Sequence, residues 1–257
     1  MITIKNEFQI EKMRRAGLLL HQVLEALREE IHPGMTTHRL DKLAEKLIRD
    51  AGAIPSFKGY NGFPFSICAS VDDQVVHGFA NSDKLREGQL LSVDCGVILD
   101  GWQSDSAFSV LVGGGSPEAR QLVEVTEQSF WRGADKARAG NRLGDISHAV
   151  QEYAESFGYG VIRDCTGHGI GQEMHEDPAV PNYGRAGRGV LLRPGMTIAV
   201  EPMIAMGGWQ VYVEDDDWTV VTADHSLCSH YEHTILITDG EPEILSLPGA
   251  RVSEMIR

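Results

Sequence analysis

The stretch Leu85 to Asp94, LREGQLLSVD, returns in altered form 107 positions later as Leu192 to Glu201, LRPGMTIAVE. Each copy opens Leu-Arg-x-Gly, continues as a mostly apolar run and places a carboxylate six residues after the glycine. Gly101-Trp102-Gln103 answers Gly208-Trp209-Gln210 in the same register. An earlier pair lies at an offset of 106, where Leu40, Leu43, Ala44, Leu47, Ile48 and Gly52 answer Ile146, Ala149, Val150, Tyr153, Ala154 and Gly158. Helix then strand, twice over, predicts one domain spanning residues 1–257 and built of two related halves. An acid ends an apolar strand in each half, so Asp94 and Glu201 are expected to project into one shared cleft, with a metal as its natural occupant.

The surrounding elements follow from caps and periodicity. Asn6 with Gln9 predicts a capped helix start, and Met13, Ala16, Leu20, Leu24, Leu27 and Ile31 form one apolar stripe that ends at His32-Pro33-Gly34. Thr36 caps a second helix that stops at Gly52. Residues 65–80 and 89–112 read as strands with turns at Asn81-Ser82 and Asp100-Gly101. Ser116-Pro117-Glu118 opens a helix running to about Ala139, and another covers about 143–157. Strands are expected again after Gly160 and at 196–206, 210–214, 218–222 and 232–238, with Tyr183 to Gly189 as a loop.

Bulk properties exclude several classes. A chain of 257 residues with 42% hydrophobic content buries a sizeable core. A net charge of −14 argues against a protein that binds nucleic acid or anionic membrane through its global field, and suits a site that attracts cations. No apolar stretch approaches the ~20 residues of a membrane span, and the charged amino terminus has no signal-peptide core. Cys68, Cys95, Cys165 and Cys228 show no paired spacing, which points to buried small residues in a reduced cytoplasmic compartment.

Asp94 and Asp105 lie eleven residues apart around the Asp100-Gly101 turn, so a hairpin would make their carboxylates neighbours. His168 sits in Gly167-His168-Gly169-Ile170-Gly171, where the missing side chains are expected to let the backbone bend and leave the imidazole accessible. His175 follows, Glu201 precedes Pro202, and Glu232 opens Glu232-His233-Thr234. Two Asp, two Glu and one or two His form an oxygen-rich donor set that fits Mn, Fe, Co or Zn pairs rather than a thiolate-bound structural zinc. Taken singly, each has a bland reading: strand-end acids are usually solvated, and a glycine-flanked His is more often a turn residue. The order and spacing of the whole set weigh against coincidence. Gly167 to Gly171 is no dinucleotide fingerprint, Gly113-Gly114-Gly115 lacks a phosphate-loop ending, and no Gly-x-Ser-x-Gly elbow occurs.

Taken together, Asp94-x-Gly96 with Asp105, the His168 glycine segment with His175, Glu201-Pro202-Met203 and Tyr231-Glu232-His233-Thr234 resemble the bacterial type I methionine aminopeptidase family, over nearly the whole chain. That resemblance implies an α+β "pita-bread" fold with pseudo-two-fold symmetry, an antiparallel sheet core flanked by helices. It further implies that Asp94, Asp105, His168, Glu201 and Glu232 ligate two divalent ions (Co, Mn, Fe or Zn), Asp105 and Glu232 bridging. His77, in Val75-Val76-His77-Gly78, and His175 would touch the scissile amide, and Glu201 would shuttle a proton. Tyr60, Phe63, Cys68 and Trp218 would receive the methionine side chain.

The expected activity is removal of N-terminal methionine from nascent polypeptides and short peptides with a small second residue and a free amino terminus. The resemblance also implies a cytoplasmic monomer in transient proximity to the ribosome, with no binding of nucleic acid or membrane. Three positions depart from the family pattern. Gln103-Ser104-Asp105 stands where His-Gly-Asp or His-Ala-Asp is common, Phe63 replaces a tyrosine, and Met174 replaces a bulky aromatic, which is expected to loosen the cleft rim. Two rival readings are a proline-directed peptidase of the same fold and a metal-free pita-bread protein that binds a partner.

Overall fold

The computed structural model describes residues 1–257. Helix α1 (Glu7–Glu30) begins with the expected box: the Asn6 side chain accepts from the Gln9 amide while the Gln9 side chain returns the bond. Thr36 caps α2 (Thr37–Asp50) by accepting from the Arg39 amide. Ser116 caps α3 (Pro117–Lys136), and α4 spans Leu143–Ser156. The helices lie against a nine-stranded sheet, all of whose pairings are antiparallel.

The order of its central strands explains the repeat. Leu90–Leu99 pairs with Trp102–Leu111, which pairs with Glu232–Leu236, which pairs with Thr197–Val200. One hairpin of the first half thus meets its counterpart from the second across a seam where Glu232 faces Ala107. The turns that precede the acid-bearing strand of each half make the same backbone hydrogen bonds. Gly88 and Gly195 both take left-handed backbone, φ 87° and 84°, which glycine adopts without a side-chain clash. The Gly88 amide donates to the Val112 carbonyl at 2.9 Å and the Gly195 amide to that of Ile237 at 3.0 Å. Gln89 and Met196 return the favour by accepting from the amides of Val112 and Ile237.

Each half has its own apolar core. Leu20, Leu24, Leu27, Leu40 and Ile48 of α1 and α2 cover Ile67, Leu91, Val93 and Val97. Phe130, Trp131 and Ile146 of α3 and α4 cover Val200, Ile235 and Ile237. Each fully buried aliphatic or aromatic side chain of this kind contributes roughly 1.5–3 kcal/mol.

This is the expected α+β pita-bread arrangement, with four corrections of detail. The strand expected at 196–206 breaks at Glu201-Pro202 into Thr197–Val200 and Met203–Ala205, which belong to different sheets. Proline lacks the amide the ladder needs, and the break turns Glu201 out toward the cleft. Residues 65–80 hold two short strands, Ile67–Val71 and Gln74–Val76. Strands Glu176–Val180 and Cys228–His230 were not expected. The repeat also ends earlier than its sequence register suggests. Gly101-Trp102-Gln103 lies in the Leu90–Leu111 hairpin, with Trp102 buried, whereas Gly208-Trp209-Gln210 leads into a separate three-stranded sheet.

Candidate metal centre and cleft

Strand register delivers the acids. Asp94 pairs with Ala107 and Asp105 with Gly96, so the two carboxylates are diagonal neighbours on one face. Glu232 enters from the other side of the seam, and Glu201 follows the end of Thr197–Val200. Thr234 pins the Asp105 backbone: its Oγ1 accepts the Asp105 amide at 3.0 Å and donates to the Asp105 carbonyl at 2.9 Å. Asn182 Nδ2 donates to the Glu201 carbonyl at 2.9 Å.

His168 is 7% exposed, so the expectation of an accessible imidazole is corrected. Its flanking glycines serve close packing instead of bending: a Cβ on Gly167 would lie 2.3 Å from the Ala199 carbonyl oxygen, and one on Gly169 would lie 2.2 Å from that of Asp177. The His168 Nδ1–H donates to the Gly169 carbonyl at 2.9 Å. A carbonyl only accepts, so Nε2 keeps its lone pair, and it lies 3.7 Å from Glu201 Oε1 and 3.9 Å from Asp105 Oδ2. Asp105, His168 and Glu232 bring one donor atom each within 4.8 Å of one another.

Burial and mutual repulsion dominate the electrostatics of this cluster. Burial, then the charges of Asp105 and Glu201, push the Asp94 carboxyl well above the usual carboxylate range. Burial and Asp105 do the same to Glu201, and burial with its three acidic neighbours to Glu232. Burial raises Asp105 to about 7 against the opposing effect of the Asp94 hydrogen bond. Burial and His175 lower His168 to about 4, which leaves it neutral at pH 7. Asp94 Oδ1, Asp105 Oδ1 and Glu232 Oε1 are buried without a hydrogen-bond partner. Unpaired buried carboxylate oxygens are strongly unfavourable unless a cation compensates them. The donor set and its orphaned oxygens therefore fit divalent ions.

The cleft above the acids encloses about 310 Å³. Phe63 packs edge-on against Trp218, with ring centroids 5.1 Å apart, and against Phe79 at 5.6 Å. Cys68 pairs with Asp94 on the adjacent strand, and burial, then the Asp94 charge, raises its thiol well above the ordinary range, so it is a neutral wall. Met174 is 2% exposed beside Phe57, Phe63 and Cys68, inside the wall rather than loosening a rim. Gln103 is buried and its side-chain oxygen accepts from the Ser56 hydroxyl, while its backbone N–H donates to the Gly171 carbonyl at 2.8 Å, tying its strand to the segment that carries His168 and His175.

Two imidazoles border the opening. His77 follows strand Gln74–Val76 in left-handed backbone, φ 60°, a conformation uncommon outside glycine. That strand pairs with Val220–Thr222, which sets Trp218 against His77, ring centroids 6.1 Å apart. Asp216 holds this corner by accepting the Trp218 and Thr219 amides at 2.9 and 2.7 Å. His175 meets the Tyr60 hydroxyl through Nδ1 at 2.8 Å. Burial lowers the pKa of both imidazoles, with His175 adding to the effect at His77. Every residue named from the sequence as a site candidate lines this one cleft. Sequence reasoning missed His230, buried behind the glutamates at the end of strand Cys228–His230, although it stands only two residues before Glu232.

An acidic, imidazole-bearing centre between the halves of a pita-bread fold defines a metallopeptidase, and the model of metallopeptidase family M24 matches residues 11–239; the chain belongs to that family. Membership brings with it the use of divalent metal. The methionine aminopeptidase of Clostridium acetobutylicum is 55% identical over 248 residues, 96% of this chain and 99% of that protein. The methionine aminopeptidase structure from Rickettsia prowazekii superposes with a TM-score of 0.95 at 41% identity, covering 96% of this chain and all of that one (100%). The prolidase from Pyrococcus horikoshii shares the fold at a TM-score of 0.76 and 22% identity, but only 63% of its chain is matched.

Proposed function

We propose that this protein is an aminopeptidase that removes the N-terminal methionine from peptides and nascent proteins whose second residue is small. The observation that carries the reading is the convergence of four carboxylates and one neutral imidazole beneath an aromatic, thiol-walled pocket. Near full-length similarity to methionine aminopeptidases supports the substrate, and the low identity to prolidase leaves the proline-directed alternative without a comparable argument. Within this reading, Asp94, Asp105, His168, Glu201 and Glu232 hold two divalent ions of the Mn, Fe, Co or Zn class. Such ions, when bound, acidify water and polarise a carbonyl.

The chain's own groups do the rest. Glu201, whose carboxyl is raised by burial, takes a proton from water and returns it to the leaving amine. His77 and His175, neutral near pH 7, donate hydrogen bonds to the scissile group as charge develops. The Tyr60 hydroxyl and His175 Nδ1 share a hydrogen bond of 2.8 Å; the tautomer this role requires is the one in which the hydroxyl donates and the ring proton sits on Nε2. Phe63, Trp218, Cys68 and Tyr60 surround the unbranched thioether of methionine. The chain's net charge of −14 favours approach of the substrate's cationic amino terminus. We place this work in the cytoplasm, on chains emerging from the ribosome, by a monomer.

His77→Ala and His175→Ala are each expected to lower kcat by ~10²–10³-fold with metal content unchanged, as read by steady-state kinetics and elemental analysis. Loss of a bound ion in His175→Ala would make that residue a ligand instead.

A pH dependence follows from the raised carboxyls. In metal-stripped protein Asp105 stays protonated up to about pH 7 in the fold, and Asp94, Glu201 and Glu232 are raised well above the usual range. Unfolded carboxylates ionise near ~4, so between these limits the folded state binds more protons and stability falls as pH rises. The Tm of stripped protein should therefore decline through that window, and added Mn should raise Tm more at pH 8 than at pH 5. Equal increments at both would contradict this reading of the cluster.

A further inference from the structure

The seam assigns His230 a counterpart. Val112 and Ile237 occupy matching places, because each accepts the bond from its own half's turn glycine. Seven residues before Val112 stands Asp105, and seven before Ile237 stands His230. Three before each stand Ser109 and Thr234. These hydroxyls clamp across the seam in the same way. Thr234 Oγ1 accepts the Asp105 amide at 3.0 Å and donates to its carbonyl at 2.9 Å. Ser109 Oγ accepts the His230 amide at 3.0 Å and donates to its carbonyl at 2.9 Å. The matching clamps on the two sides of the seam thus place His230, at the end of strand Cys228–His230, where the first half has a carboxylate of the acidic cluster.

Its side chain points the same way. His230 is 1% exposed, and its Nε2 has no hydrogen-bond partner. That nitrogen lies 3.7 Å from Glu232 Oε2 and 4.0 Å from Glu201 Oε2. We propose that His230 is a positioning residue whose Nε2–H, 3.7 Å from Glu232 Oε2, closes on that carboxylate when ions are held and so selects which of its oxygens stays free for them. The proposal rests on the reading that the acidic cluster holds divalent metal. A carboxylate oxygen engaged by a buried donor cannot rotate away, so the free oxygens keep a fixed direction, as second partners of metal ligands generally ensure.

Two measurements test it. Stripped wild-type, His230→Gln and His230→Leu proteins are titrated with Zn²⁺ by calorimetry. His230→Leu, which keeps bulk and loses the donor, is expected to bind ~10–100-fold more weakly. His230→Gln, whose amide can still donate, should stay within about threefold of wild type. Wild-type affinity in His230→Leu would overturn the proposal. A second check uses Zn²⁺-loaded wild type with ¹⁵N-labelled histidine, His230 being assigned from the resonance missing in His230→Gln. A protonated Nε2 is expected, and an unprotonated or metal-bound Nε2 would overturn the proposal. Wild-type protein that takes up no ion would instead overturn the reading of the cluster beneath it.

Discussion

Asp105→Asn and Glu232→Gln are each expected to lower kcat/KM by at least ~10³-fold while the protein stays folded. A metal's stabilisation of transition-state charge is worth several kcal/mol, and each ~1.4 kcal/mol is a factor of ten, so losing its proper seat removes about three orders of magnitude or more. A carboxamide is isosteric but neutral and bridges two cations poorly. Stability should not fall with activity. Both carboxyls are buried and raised in pKa, so in the stripped protein they are already wholly or partly protonated and a neutral carboxamide of the same shape changes little. Kinetics across Mn, Fe, Co and Zn, with circular dichroism on the same samples, check this. Turnover near the wild-type level in either variant would show that the site is misassigned.

The second large effect concerns the substrate. Peptides beginning Met-Ala, Met-Gly or Met-Ser should be cut, while Met-Lys and Met-Leu should be slower by about 10²-fold or more, since each misfitted methylene-sized group is worth ~1–3 kcal/mol. Leucine in first position is branched where the pocket between Phe63, Trp218 and Cys68 suits an unbranched chain. N-formyl peptides should resist, because the formyl group removes the cation that the carboxylates would attract. Values of kcat/KM over this panel at one fixed metal decide the matter. Comparable cleavage of Met-Lys and Met-Ala, or efficient removal of formyl-methionine, would contradict the account.

Much of this was legible before the structure because the chain repeats itself. The turn glycines Gly88 and Gly195, each six residues before an acid, marked two equivalent strands, and both take the same left-handed turn. The capped helices were equally readable, since Asn6, Thr36 and Ser116 leave local signatures. What was hidden depended on long-range contact. The glycines around His168 read as bending points, but their role is the approach of neighbouring backbone, which no local pattern reveals. The Trp102 and Trp209 segments matched in register only because of local similarity, and tertiary pairing sent them to different places. His230 drew no attention because it lacks a motif of its own. Its place follows from the hydroxyl clamp of Ser109, a residue 121 positions away. Met174 likewise read as a rim residue until packing against Phe57 and Phe63 placed it inside the wall.

Metal-dependent removal of N-terminal methionine is read out by hydrolysis of Met-Ala-Ser, Leu-Ala-Ser and Ala-Pro-Ser by stripped protein, before and after adding back Mn, Fe, Co or Zn. Free methionine is expected from Met-Ala-Ser only when metal is restored, with the other two peptides left nearly intact. Cleavage that persists without metal, or a preference for Ala-Pro-Ser, would contradict it.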